Sequence, residues 1–249
     1  MRTYVIGDIH GQLELLQAVH ARIAEDDGAQ GGDGQIVHVG DLIDRGPDSR
    51  GVVDHLMRGQ AEGRPWIVLK GNHDRFLTRF IQQPGWIDPG LASGLHWLDH
   101  QNLGAAPTLA SYGVERGTRS HADVLADTLR AVPQAHVDWL DALPLHHRID
   151  GAVIVHAGMR PGVALEDQIE HDLLWIRKGF LDNACDHGAL VVHGHTVVDR
   201  VTHFGNRLAI DTGAAYGGPL SVVVFDETGL HQLTEAGRVP VAHEAAPVG

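Results

Sequence analysis

Five short polar motifs, each set directly behind a run of apolar residues, constrain this chain more than anything else in it. They are Gly7-Asp8-Ile9-His10-Gly11, Gly40-Asp41-Leu42-Ile43-Asp44-Arg45-Gly46, Gly71-Asn72-His73-Asp74, His156-Ala157-Gly158 and His193-Gly194-His195-Thr196. The runs that precede them are Thr3–Ile6, Gln35–Val39, Trp66–Leu69, Ala152–Val155 and Ala189–Val192. All are short and rich in valine and isoleucine, which is the pattern of buried strands. Polar residues at buried strand ends are where α/β proteins build sites.

The spacing between motifs supports the same architecture. Leu13, Leu15, Leu16, Val19 and Ile23 recur near helical spacing. Val52, Val53, Leu56 and Met57 do so behind Pro47-Asp48-Ser49, a helix start with proline in the first turn. The first 80 residues therefore read as strand-helix-strand-helix-strand, a parallel α/β unit. Residues 82–117 differ: prolines, glycines, Trp86 and Trp97 predict a loop-rich insertion with short helices, forming one wall of a site. Residues 123–143 read as helical, interrupted at Pro133. Leu208–Ile210 and Leu220–Phe225 are later strands, expected to pair through a turn at Gly213–Gly218. The expected organisation is one domain over residues 1–235, with residues 236–249 a loose polar tail containing Pro240 and Pro247.

With 249 residues, 43% of them hydrophobic, the chain has enough material for one large core. Its net charge of −13, with no lysine and arginine cluster, argues against binding nucleic acid or an anionic membrane surface. One cysteine, Cys185, excludes an intramolecular disulfide. The first strand begins at Thr3 with no charged and apolar leader before it. No apolar run reaches the roughly 18 residues of a membrane helix. A soluble cytoplasmic protein is expected, with oligomeric state left open.

The motif residues have the chemistry of a metal site. Asp8 and His10 are two apart, so in an extended segment both side chains share a side. Asp41 has two oxygens and can bridge two ions, and Asn72, His156 and His195 complete a second ion. Oxygen and nitrogen donors without thiolate favour manganese, iron or zinc over a structural zinc site. Two such ions about 3.5–4 Å apart stabilise both the attacking and leaving oxygens of a phosphate ester. Arg45, beside Asp41 and Asp44, offers a planar fork for phosphate oxygens, and Arg177 is a second candidate. His73 can donate a proton to the leaving oxygen, with Asp44 as its natural partner.

The motif set resembles the phosphoprotein phosphatase family of calcineurin-like metallophosphoesterases, above all its bacterial and phage serine/threonine branch. The resemblance runs from Thr3 to about Phe225 and includes a late Asp211-Thr212-Gly213. It implies an α/β (α+β) fold, a central β-sandwich of mixed sheets flanked by helices. It implies metal ligation by Asp8, His10 and Asp41 at one ion and by Asp41, Asn72, His156 and His195 at the other, manganese being the first choice. It implies that His73 acts as general acid with Asp44, and that Arg45, Asn72, His73 and Arg177 bind phosphate. The activity implied is hydrolysis of phosphomonoesters, phosphoserine and phosphothreonine in proteins or small esters, by direct attack of metal-bound hydroxide. Asp74 stands where the protein phosphatases usually have glutamate, and resembles the branch that splits diadenosine tetraphosphate symmetrically. That branch often lacks the aspartate supplied here by Asp44, so the phosphomonoesterase side is favoured. A non-catalytic metal-binding adaptor is the remaining alternative. His193, two residues before His195, is either a packed strand histidine or a further ligand or donor. Asp211 either orients a ligand histidine or shapes a turn. His38, His146 and His147 are taken as structural.

Overall fold

A computed structural model describes residues 1–244. In chain order the elements are β1 (Thr3–Ile6), α1 (Leu13–Ala29), β2 (Gln35–His38), α2 (Ser49–Ala61), β3 (Trp66–Val68), α3 (Asp74–Gln82), α4 (Ala105–Ser111), α5 (His121–Ala131) and α6 (Gln134–Ala142). There follow β4 (His146–Ile149), β5 (Ala152–Val155), α7 (Glu170–Trp175), β6 (Leu190–His193), β7 (Thr202–His203), β8 (Arg207–Ala209), β9 (Val222–Asp226), β10 (Gly229–Thr234), β11 (Gly237–Pro240) and β12 (Ala242–His243). They form two six-stranded sheets, β11-β10-β9-β1-β2-β3 and β12-β7-β8-β6-β5-β4. Both are mixed: β1, β2 and β3 run parallel, as do β5, β6 and β8, while β9 and β4 pair antiparallel to their neighbours.

The period-two alternation of strand side chains explains the layering. Val5 of β1 and Ile154 of β5 belong to the core between the sheets, with Val37, Val192 and Val223. Their chain neighbours Tyr4 and Ile6 face the helical layer of α1–α3. Val153 and Val155 face the opposite layer, with Leu173 and Phe180. Each such side chain, fully buried, contributes about 1.5–3 kcal/mol from removed apolar area. A strand buried on both faces must be apolar throughout, which is why the runs before the motifs do not alternate with polar residues.

Two expectations fail. Leu208–Ile210 and Leu220–Phe225 do not form a hairpin: β8 lies in the second sheet and β9 in the first. The Gly213–Gly218 segment crosses between sheets, with left-handed Gly213 and Gly217 flanking a short 3-10 turn. The tail is not loose up to residue 244. β11 pairs with β10 and β12 with β7, because a turn after Thr234 returns the chain alongside β10. Residues 245–249 of the expected tail lie outside the described residues. The insertion holds one 3-10 turn, Trp97–Asp99, and α4, and packs on the helical layer through Trp97, Leu98 and Leu109.

Candidate active site

All five motifs meet at the C-terminal ends of β1, β2, β3, β5 and β6. Asp8, His10, Asp41, Asp44, Asn72, His73, His156 and His195 are buried together there. Close approach demands small residues behind them: a Cβ on Gly71 would stand 2.1 Å from the Asp41 nitrogen. Among the described residues, the non-glycine positions with left-handed backbone are His10 (φ 47°), Asp41 (φ 50°), Asp44 (φ 73°), Arg45 (φ 68°) and His195 (φ 62°). Each costs on the order of 1 kcal/mol or more, and such strain clusters at functional sites.

Asp41 stands at the centre. One of its oxygens lies 3.3 Å from His10 Nε2, the other 3.3 Å from His156 Nε2. Both imidazoles have fixed tautomers. His10 Nδ1–H donates to the Ile43 carbonyl at 2.8 Å, and His156 Nδ1–H to the Val39 carbonyl at 3.0 Å. That leaves Nε2 of each as a lone pair aimed at a carboxylate oxygen, the arrangement of a metal-ligating histidine. His156 Nε2 also lies 2.9 Å from Asn72 Oδ1. His195 Nε2 is buried without a hydrogen-bond partner. Two donor groups result, His10–Asp41–His73 and Asp41–His156–His195, sharing Asp41. Carboxylate, amide and imidazole donors converging on Asp41, plus one orphaned nitrogen, fit a site able to hold two cations.

Asp8 is placed differently from its expected partners. Its carboxylate accepts the His195 N–H at 3.0 and 3.2 Å rather than joining either three-residue group. Burial first, then Asp211 and Asp41, push its carboxyl well above the usual carboxylate range. Such crowding of acids is relieved by a bound cation. Burial lowers His195 well below the ordinary histidine value, with His156 adding to it, which keeps the ring a neutral donor.

The phosphate-handling residues surround this centre. Arg45 donates to His73 Nε2 at 3.0 Å and also to His10 Nε2. Arg177 donates to the His195 carbonyl at 3.3 Å and is otherwise exposed. His73 Nδ1–H donates to Asp44 Oδ2 at 2.8 Å. Burial raises the Asp44 carboxyl to about 7, against hydrogen bonds from Thr108 and Trp97 that lower it. Arg45, His73 and Arg177, together with Trp175 and Tyr216, line a pocket of about 200 Å³. A larger cavity, about 660 Å³ between α1 and β10, contains no metal-ligating cluster and lies away from the motifs.

The remaining polar residues have local duties. Asp74 accepts the Leu42 N–H at 2.8 Å and the Gly71 N–H at 2.7 Å, clasping the second and third motif loops together. Asp211 accepts the Gly213 N–H at 2.9 Å, the turn role. His193 is packed: its ring sits edge-on to Phe180, Nδ1 reaches Gly194 O at 3.1 Å, and Nε2 lies 3.5 Å from Arg207. Trp97 and Thr108, both hydrogen-bonded to Asp44, were not legible in the sequence.

Comparison with known proteins settles what this arrangement belongs to. The model of the calcineurin-like phosphoesterase family matches residues 1–225. The chain belongs to that family. Serine/threonine-protein phosphatase 1 of Salmonella typhimurium is 30% identical over 231 residues, covering 88% of this chain and 89% of its own. Bis(5'-nucleosyl)-tetraphosphatase PrpE [asymmetrical] of Oceanobacillus iheyensis is 24% identical over 248 residues, covering 91% and 90%. The crystal structure of a cold-active protein-tyrosine phosphatase of a Shewanella species superposes with a TM-score of 0.63 at 14% identity, covering 96% of this chain and 79% of the other. The chain is thus a metallophosphoesterase, a hydrolase acting on phosphate esters, with clusters able to hold two metals. No helix among the described residues is long and apolar enough to cross a membrane.

Proposed function

We propose that the protein is a phosphomonoesterase acting on phosphoserine and phosphothreonine, with manganese as its metal and the cytoplasm as its compartment. The observation that carries the substrate class is the buried Asp44–His73 pair at 2.8 Å. An alkoxide is a poor leaving group and needs a proton, so an acid dyad is of most use on serine and threonine esters. Asp8, His10 and Asp41 would hold one ion, and Asp41, Asn72, His156 and His195 the other. Bound there, the two ions supply Lewis-acid polarisation and an activated water at neutral pH.

The protein's own groups do the rest. Arg45 and Arg177 flank the pocket and clamp the phosphate oxygens through charge-assisted hydrogen bonds. On binding, Arg45 exchanges the lone pair of His73 for a phosphate oxygen, which frees His73 Nε2. The phosphate dianion then favours the imidazolium, with Asp44 holding its Nδ1–H, and Nε2–H faces the leaving oxygen. Asn72 adds an amide beside the phosphate.

The competing reading is a dinucleoside tetraphosphatase. Similarity to the Oceanobacillus tetraphosphatase supports that substrate class, although that relative is asymmetrical and the symmetrical cleavage expected from Asp74 is a different reaction. Asp74, which suggested it in the sequence, is accounted for here as a clasp between two loops. Product chromatography of the manganese-loaded protein, run in parallel on a phosphothreonine peptide and on diadenosine tetraphosphate, separates the two. Higher kcat/KM for phosphate release from the peptide is expected. Preferential cleavage of the dinucleotide would overturn the substrate class.

A further inference from the structure

Asp44 is fully buried, and its hydrogen-bond partners come mostly from the insertion. Oδ1 accepts the Thr108 hydroxyl at 2.8 Å, and Oδ2 accepts Trp97 Nε1–H at 3.1 Å beside His73. Thr108 holds both ends of the residue, since its Oγ1 also accepts the Asp44 N–H at 2.9 Å. With its proton given to Asp44, Thr108 accepts from Ser49 Oγ at 3.0 Å, so every capacity of that hydroxyl is used. Trp97 is fixed in turn by stacking on Phe76 at 6.4 Å, and Phe76 sits edge-on to the His73 ring at 5.4 Å. Nothing in a parallel α/β unit requires two donors from residues 53 and 64 positions further along the chain to converge on one carboxylate.

We infer that Trp97 and Thr108 are positioning residues for proton donation: their hydrogen bonds fix the Asp44 carboxylate so that it orients His73 toward the leaving oxygen. This rests on the proposed role of His73. The insertion then completes the acid as well as walling the pocket. A carboxylate left with His73 alone would turn about its side-chain bonds, and Nε2 of the imidazole would swing with it. Positioning errors of this kind reduce the proton-transfer step and leave esters with acidic leaving groups little affected.

The test measures kcat of the manganese-loaded full chain on phosphate esters of graded leaving-group basicity, from 4-nitrophenyl phosphate to a simple alkyl phosphate. The alkyl-to-aryl ratio is independent of the folded fraction, which a merely structural role would alter. Trp97→Phe keeps the stack on Phe76 and removes the N–H, and Thr108→Val keeps the shape and removes the hydroxyl. Each is expected to lower the ratio about tenfold, the worth of one hydrogen bond to a charged group. Thr108→Ser is expected to restore it. His73→Asn serves as the reference and is expected to lower the ratio by about 100-fold or more. If His73→Asn lowers the ratio while Trp97→Phe and Thr108→Val do not, the positioning role is wrong and the acid stands. If His73→Asn reduces all esters alike, the acid itself is wrong. Should Trp97→Phe fail to fold, the Thr108→Val and Thr108→Ser pair decides alone.

Discussion

At the scale of single residues, the site is a concentration of unfavourable choices. Left-handed backbone falls on His10, Asp41, Asp44, Arg45 and His195, and three buried acids, Asp8, Asp41 and Asp211, lie close enough to influence one another. Stability is sacrificed at these positions, as expected of functional ones. Asp8 carries this cost, its carboxyl lying well above the usual carboxylate range. Its raised carboxyl marks an acid whose charge is disfavoured in the folded state, chiefly by burial. Asn keeps the shape and one acceptor for the His195 N–H while removing that charge. With metal chelated, Asp8→Asn should therefore melt a few degrees above the wild type, since about 1 kcal/mol moves Tm by roughly 2–4 °C in a chain of this size. With manganese added, the order should reverse, because the variant lacks a carboxylate proposed to hold one of the ions. Thermal melts in both conditions check this, and a variant that melts lower in both would show that the Asp8 charge is not disfavoured in the folded protein.

At the scale of elements, what the sequence disclosed depended on periodicity. Strands buried on both faces announce themselves as short valine-rich runs, so β1, β2, β3, β5 and β6 and the motifs behind them could be placed. The insertion and the segment after residue 236 have no period, and their contacts are long-range. Trp97 reaches Asp44 across 53 positions, and no local pattern encodes that. β11 is another instance. Proline and polar residues suggested a loose segment, yet Arg238 reaches Asp26 in α1 at 2.7 Å and also bonds Asp226 in β9. Burial works against these carboxylates, but Arg238 and Thr228 hold Asp226 down at about 2, and Arg238 and Tyr4 lower Asp26. Depressed folded-state values mean stability that is present above the unfolded carboxylate value near 4 and lost as pH falls through the folded one. Acid unfolding should accordingly steepen between about pH 4 and pH 2. Arg238→Gln should flatten that limb and cost about 1 kcal/mol at neutral pH, discounted for solvent screening. Urea melts at pH 3 and pH 7 measure both, and an equal loss at the two pH values would rule out the ion network as the cause.

At the scale of the whole molecule, the candidate ligands are divided between the two sheets. Asp8, His10, Asp41 and Asn72 follow β1, β2 and β3 of the first sheet, and His156 and His195 follow β5 and β6 of the second. Asp41 meets His10 on one side and His156 on the other, so an ion at either group joins loops, and an ion at Asp41–His156–His195 joins sheets. Between the sheets the contact is otherwise an apolar layer, with Val5, Val37, Ile154 and Val192. Metal binding should then act as a cross-brace on the sandwich itself. Ligand present at 100 times its dissociation constant adds about 2.7 kcal/mol to folding stability. At roughly 2–4 °C per kcal/mol, that is a rise in Tm of about 5–10 °C for each ion taken up when the chelated protein is loaded with manganese. The location of the brace makes the prediction sharper than a simple ligand effect. Asp41→Asn should abolish nearly all of the rise, because both groups share that residue. His195→Ala should remove only the part due to the ion between the sheets, leaving the part due to the ion at His10. Metal content measured alongside the melts assigns each part. A rise in Asp41→Asn as large as in the wild type would mean that the ions bind independently of Asp41 and do not brace the sheets through it.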